Sequence, residues 1–138
     1  MKALTVRQPW ADAIAHGGKT VENRTWPAPN KHVGTRILIH AAAMPDRHAV
    51  LPDDYVPAGP TGLFPDYRGA ILAVATLIGS HFDTGTCCQP WGMREVYHWQ
   101  LADIQPLNEP VPAKGRLGFW TPTEEEFDAT TVQLEVAR

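Results

Sequence analysis

Alternation of apolar and polar positions organises most of this chain. Residues 3–6 place Ala3, Leu4 and Val6 around Thr5 and predict a short opening strand. Gln8-Pro9-Trp10 then starts a helix with proline at its permissive first position, and Trp10 and Ile14, four apart, share the face that packs on the core. Gly17-Gly18 ends that helix by allowing positive φ. Residues 19–25 follow as a strand with Thr20, Glu22 and Arg24 on one face and Val21 and Asn23 on the other. After the proline-broken stretch Trp26-Pro27-Ala28-Pro29-Asn30, residues 36–41 resume as a strand with Ile37, Ile39 and Ala41 on one side and His40 opposite.

Residues 51–66 contain four prolines and two glycines and read as a long surface loop. Residues 69–79 are apolar on both alternating faces, the pattern of a strand buried on two sides or closing a small barrel. Residues 96–104 alternate again, with Tyr97, Trp99 and Leu101 opposite His98 and Gln100, and residues 116–120 supply a further short strand. Thr121-Pro122-Thr123-Glu124 resembles a capping box, so a short acidic helix is expected before a period-two run at Val132, Leu134 and Val136. The expected architecture is a mostly β, α+β fold: a small barrel flanked by short helices.

The length of 138 residues fits one domain, and 43% hydrophobic residues with five tryptophans exclude a disordered chain. Thirteen prolines and eleven glycines exclude long coiled coils. No apolar run is long enough to span a bilayer, and the start lacks the pattern of a signal peptide, so a soluble, cytoplasmic protein without membrane attachment is expected. The net charge of −3 is not that of a protein that grips long nucleic acid. It is unevenly distributed, because residues 1–36 carry six basic side chains against Asp12 and Glu22, or +4, and the rest carries −7. A localised anionic ligand suits that asymmetry better than an extended duplex.

Gly17-Gly18-Lys19-Thr20 imitates the end of a P-loop, but a helix precedes it and a strand follows, the reverse of the required order. Ser80, the sole serine, is not in a nucleophile elbow. Cys87 and Cys88 could join His81 or His98 as zinc ligands, but adjacent thiols lack the usual separation of such ligands, so they read as a buried or loop pair of reduced thiols, and neither metal nor cofactor is expected. The cluster Lys19 to Arg24 is more informative. Arg24 can grip phosphate with two parallel bonds, Glu22 can orient Arg24 or accept from an exocyclic amine, and Lys19 adds a compact charge. The same residues also fit an ion pair on a sheet surface.

Leu4-Thr5-Val6-Arg7-Gln8-Pro9-Trp10, Gly18-Lys19-Thr20-Val21-Glu22-Asn23-Arg24-Thr25-Trp26, Ile37-Leu38-Ile39-His40-Ala41, Gly69-Ala70-Ile71, His98-Trp99-Gln100-Leu101-Ala102-Asp103 and Gly115-Arg116-Leu117-Gly118-Phe119-Trp120 together resemble the ASCH family, related in fold to the PUA domain. The resemblance implies a PUA-like β-barrel over residues 1–120, with 121–138 as an acidic extension packed on or trailing it. It implies a cleft for RNA or a nucleotide-like small molecule, bound by Gln8, Trp10, Lys19, Glu22, Asn23, Arg24 and His40. Some similar small members are amidohydrolases acting on acylated cytidine, with a threonine nucleophile where this chain has Glu22. On that alternative Lys19, Glu22 and Arg24 are catalytic, Glu22 being a general base, in a hydrolase of an acylated nucleoside or of RNA. A third reading is a protein-interaction domain that takes its partner through the C-terminal segment. A monomer is the expected state.

Overall fold

The computed structural model describes residues 1–53 and 65–136, so most of the loop expected over 51–66 lies outside the described residues. The elements run β1 (Lys2–Val6), α1 (Trp10–His16), β2 (Val21–Arg24), a single 3-10 turn (Asn30–His32), β3 (Thr35–Ala41), β4 (Ala70–Phe82), β5 (Tyr97–Pro112), β6 (Phe119–Trp120) and α2 (Glu124–Val136). They form one six-stranded sheet in the order β2-β5-β4-β3-β1-β6, in which β1 and β3 pair in parallel and the other neighbours antiparallel. The sheet curls into a half-barrel carrying two helices.

Alternation along the central strands feeds two cores. Leu4, Val6, Ile37, Ile39, Leu77, Trp99 and Leu101 point to the side that α1 covers with Ala11 and Ile14. Ala3, Leu38, Ile71, Val74, Leu107 and Trp120 point to the other side, where Leu134 of α2 packs. β4 is apolar on both faces because it serves both cores. Its ladder with β5 shifts register three times, and one shift between Ile71 and Ala73 turns the consecutive Leu72 and Ala73 into the same core.

β5 runs eight residues past the predicted end at Ile104, through Pro106 and Pro110. Asp103 takes a positive φ of 49° within it, and beyond that kink Pro106 and Pro112 still find register partners in Ala73 and Ala70. The strand expected over 116–120 is reduced to Phe119–Trp120. The C-terminal run is a correction: Val132, Leu134 and Val136 belong to α2, not to a strand. The capping box that starts α2 is Thr123 with Glu126: the Thr123 hydroxyl accepts from the Glu126 N–H at 3.1 Å, and Glu126 Oε1 accepts from the Thr123 N–H at 2.9 Å. Among the described residues no helix is long and apolar enough to cross a membrane.

Candidate functional site

The edge strands β2 and β6 do not pair, yet the curled sheet brings them to opposite sides of one gap. Arg24 of β2 donates through Nη2 to the Thr5 carbonyl of β1 at 2.9 Å, and Trp99 of β5 stacks parallel to Phe119 of β6 with ring centroids 5.8 Å apart. Where side chains close the barrel without a ladder, a cleft of about 390 Å³ remains. It is walled by the end of β1, by β2, by Trp10 and by residues 116–118.

The end of α1 sets up the first wall. Gly18 takes a left-handed φ of 75°, and the Lys19 N–H bonds back to the Ala13 carbonyl at 3.1 Å, so the chain reverses and carries Lys19 under the cleft. Lys19 is only 1% exposed. Its ammonium donates to the Val21 carbonyl and to Glu22 Oε1 at 3.4 Å, and lies 5.7 Å from the Trp10 ring centroid. Burial pulls its pKa below the ordinary lysine value, with the Arg24 charge adding to the fall and Glu22 opposing it.

Glu22, 7% exposed, is the hub of this group. Its second oxygen accepts from Arg24 Nε at 3.1 Å and lies 2.9 Å from Nη2. Arg24 is itself half-buried, its guanidinium 5.7 Å from the Trp99 ring centroid. A desolvated carboxylate held between two cations is positioned to keep those cations in place. The same pairing engages both of its oxygens with cations.

Trp10 is fixed by its indole N–H, which donates to Asp46 Oδ2 at 2.9 Å. That bond, with a second from the His48 N–H, holds the Asp46 carboxyl below its usual range. Asn23 lines the cleft but spends its amide on a neighbouring loop, donating to the Trp91 carbonyl at 3.0 Å and accepting from the Met93 N–H at 2.9 Å. Met93 thereby joins the lining, and a second hollow of about 250 Å³ opens past it toward Trp91.

Two expected residues lie elsewhere. Gln8 is buried behind α1, where its amide donates to the Tyr67 carbonyl at 2.7 Å and its oxygen accepts from the Asp12 N–H at 2.9 Å. His40 is fully buried beneath the cleft wall instead of facing the space. Trp120 Nε1 donates to Thr5 Oγ1 at 2.9 Å, Thr5 Oγ1 stands 3.2 Å from His40 Nδ1, and His40 Nε2 stands 2.6 Å from the Ala113 carbonyl. A Cβ on Gly115 would fall 2.8 Å from His40 Cε1 and 2.9 Å from Thr5 Oγ1, so only glycine lets this segment lie on the imidazole. His40 supports residues 116–118 from behind.

Arg7 and Arg116, which the strand patterns did not single out, complete the lining. Four cations (Arg7, Lys19, Arg24 and Arg116) therefore meet Glu22 and Asp46 in one cleft, a formal surplus of +2 on a molecule of net charge −3. Trp26, 50% exposed in its loop, is not among the lining residues. Trp99 and Trp120 are core residues. Away from the cleft, His81, Cys87, Cys88 and His98 bring their ligand atoms within 4.8 Å of one another, which removes the spacing argument against a metal.

Comparison with known proteins agrees with this architecture. The ASCH domain family matches residues 4–109. The ASCH protein from Zymomonas mobilis superposes with a TM-score of 0.54 at 17% identity, covering 95% of this chain and 93% of that one. Two point mutants of the same protein superpose with TM-scores of 0.54 and 0.53, again at 17% identity, covering 95% of this chain and 96% and 94% of theirs. At that identity the likeness speaks for the fold. The comparison with curated proteins found no match. The chain belongs to the ASCH domain family.

Proposed function

We propose that this ASCH-domain chain binds a nucleotide-like ligand, a single nucleotide or a short single-stranded RNA segment, in the cleft between β1 and β2. The observation that carries the reading is the convergence of Arg7, Lys19, Arg24 and Arg116 beside Trp10 in a space of about 390 Å³. That volume suits one small ligand, not a duplex. The bonds of Arg24 to Glu22 and Thr5 use Nε and Nη2 and leave Nη1 without a protein partner among the described residues, so the guanidinium is pre-oriented and still able to donate to a phosphate oxygen. Trp10 offers an aromatic face beside these cations, and Trp91 lines the adjoining hollow, the pairing of ring and charge that unstacked bases use.

The pairing of both Glu22 oxygens with cations favours binding over the hydrolytic alternative. Fluorescence anisotropy with a labelled RNA hexamer, and calorimetry with nucleoside monophosphates, test the reading. Arg116→Ala and Arg7→Ala remove exposed cations without touching the core, and each is expected to weaken binding about three- to tenfold. Lys19→Ala together with Arg24→Ala should abolish saturable binding. Unchanged affinity in that double variant, with its circular dichroism intact, would sink the placement of the site. Product formation from RNA or an acylated nucleoside that vanishes in Glu22→Gln would move the reading to catalysis.

A further inference from the structure

We propose that His81, Cys87, Cys88 and His98 hold one zinc ion in a closed tetrahedral site that fastens the loop between β4 and β5. His81 and His98 are register partners on neighbouring strands, so their rings stand on the same face, 5.4 Å apart between centroids. The loop returns Cys87 and Cys88 to that face. Cys87 Sγ lies 3.3 Å from His81 Nε2 and 3.4 Å from His98 Nδ1, and Cys88 Sγ lies 3.4 Å from His81 Nε2. Zinc bonds of about 2.0–2.3 Å in a tetrahedron place neighbouring ligand atoms roughly 3.3–3.8 Å apart; these three donor pairs already have that separation, and all four ligand atoms lie within 4.8 Å of one another.

Three further features fit a ligand set better than a chance meeting of side chains. His98 Nε2 stands 2.6 Å from the Met93 carbonyl; donating there puts the ring proton on Nε2 and turns the Nδ1 lone pair toward the thiols, the outer-shell bond that orients metal-bound imidazoles. Cys88 takes a left-handed φ of 64°, which turns two consecutive thiols toward one point and answers the objection from their adjacency. A Cβ on Gly92 would fall 2.8 Å from both Cys88 Cβ and His98 Cε1, so the backbone is drawn against the cluster. Two sulfur and two imidazole donors in tetrahedral array select zinc, and four protein ligands leave no position for a substrate. Binding displaces one proton from each thiol to solvent, so the two thiolates balance the dication. Because Asn23 bonds to Trp91 and Met93 on this same loop, the metal would also steady one wall of the cleft.

The test uses the full chain, purified without chelator and with reductant. Plasma mass spectrometry is expected to find one zinc per chain, and native mass spectrometry a mass higher by one zinc less two protons. Replacing the metal with Co²⁺ should give a thiolate-to-cobalt charge-transfer band with tetrahedral d–d bands. Cys88→Ser and His81→Asn should each lower zinc affinity at least tenfold. Should they fail to fold, the wild-type cobalt spectrum decides. A reduced wild-type chain that takes up less than a tenth of an equivalent of zinc overturns the proposal, as does a cobalt spectrum lacking the thiolate band. Full zinc retention by the doubly substituted Cys87→Ser, Cys88→Ser chain overturns it too.

Discussion

His40 shows how a single buried side chain can shape the cleft without entering it. The Trp120 indole can only donate, so Thr5 Oγ1 accepts from it and is free to donate its O–H to the Nδ1 of a neutral His40, whose ring proton then sits on Nε2, facing the Ala113 carbonyl. Every bond in this chain is satisfied by the neutral ring. Burial lowers the pKa of His40, while the Ala113 carbonyl and the more distant Glu126 oppose the fall. A depressed folded pKa means that the unfolded chain binds the proton more tightly. The stability contributed by neutral His40 is therefore complete above the ordinary value of 6.5 and is lost as pH falls through the lower folded value. Urea denaturation of wild type and His40→Gln at pH 7.5 and 5.0 checks this. Wild type should be the more stable by about 2 kcal/mol at pH 7.5, with the gap shrinking at pH 5.0; a gap independent of pH would show that His40 does not titrate on unfolding.

At the scale of elements, the capping box of α2 makes a sharp prediction. Its two reciprocal bonds satisfy donors at the helix start, and the helix then lays buried Thr130 and half-buried Leu134 on the sheet while Gln133 bridges to the Glu109 backbone. Thr123→Ala should cost about 1 kcal/mol and lower the melting temperature by roughly 3–5 °C, read by circular dichroism, with cleft binding unchanged. An unaltered melting curve would mean that water caps the helix as well. This element was also the least legible. The Thr-x-x-Glu pattern occurs twice in overlapping register, at 121–124 and 123–126, and apolar residues two apart at 132–136 imitate a strand. The helical stripe of Phe127, Thr130 and Leu134 was masked because its buried middle member is a threonine. Strands β1 and β3 were readable from alternation, and β4 from a run that is apolar on both faces. The length of β5 was not, because its bulges accommodate prolines that ordinarily end a ladder. In the cleft, Lys19, Glu22 and Arg24 were readable from a helix stop followed by a two-residue period, whereas Arg7 and Arg116 arrive from loops. The thiol–imidazole cluster depends on the β4–β5 register, which pairs His81 with His98 across a long loop, and no sequence spacing encodes it.

For the whole molecule, the proposed binding asks how a chain of net charge −3 would take an anionic ligand. Of the six basic side chains in the first 36 residues, Arg7, Lys19 and Arg24 reach the cleft, while Arg36 is spent on Thr76 and the Asp103 carbonyl. Arg116 adds a fourth cation, and Glu22 and Asp46 cancel two. The cleft lining is thus +2 on balance and the rest of the chain −5, so an RNA extending beyond the cleft would meet groups that are acidic on balance. A ligand bound there as proposed would have about two or three phosphates neutralised. Counterion release from single strands scales as about 0.7 per phosphate, so log K against log salt should fall with a slope of about −1.4 to −2.1. The affinity should also stop rising once an oligonucleotide exceeds a few residues. Anisotropy titrations of RNAs from two to twelve nucleotides between 50 and 300 mM salt measure both quantities. A slope steeper than about −5, or an affinity that keeps growing with length, would place binding on an extended surface outside the cleft, where Arg7, Lys19, Arg24 and Arg116 could not account for it.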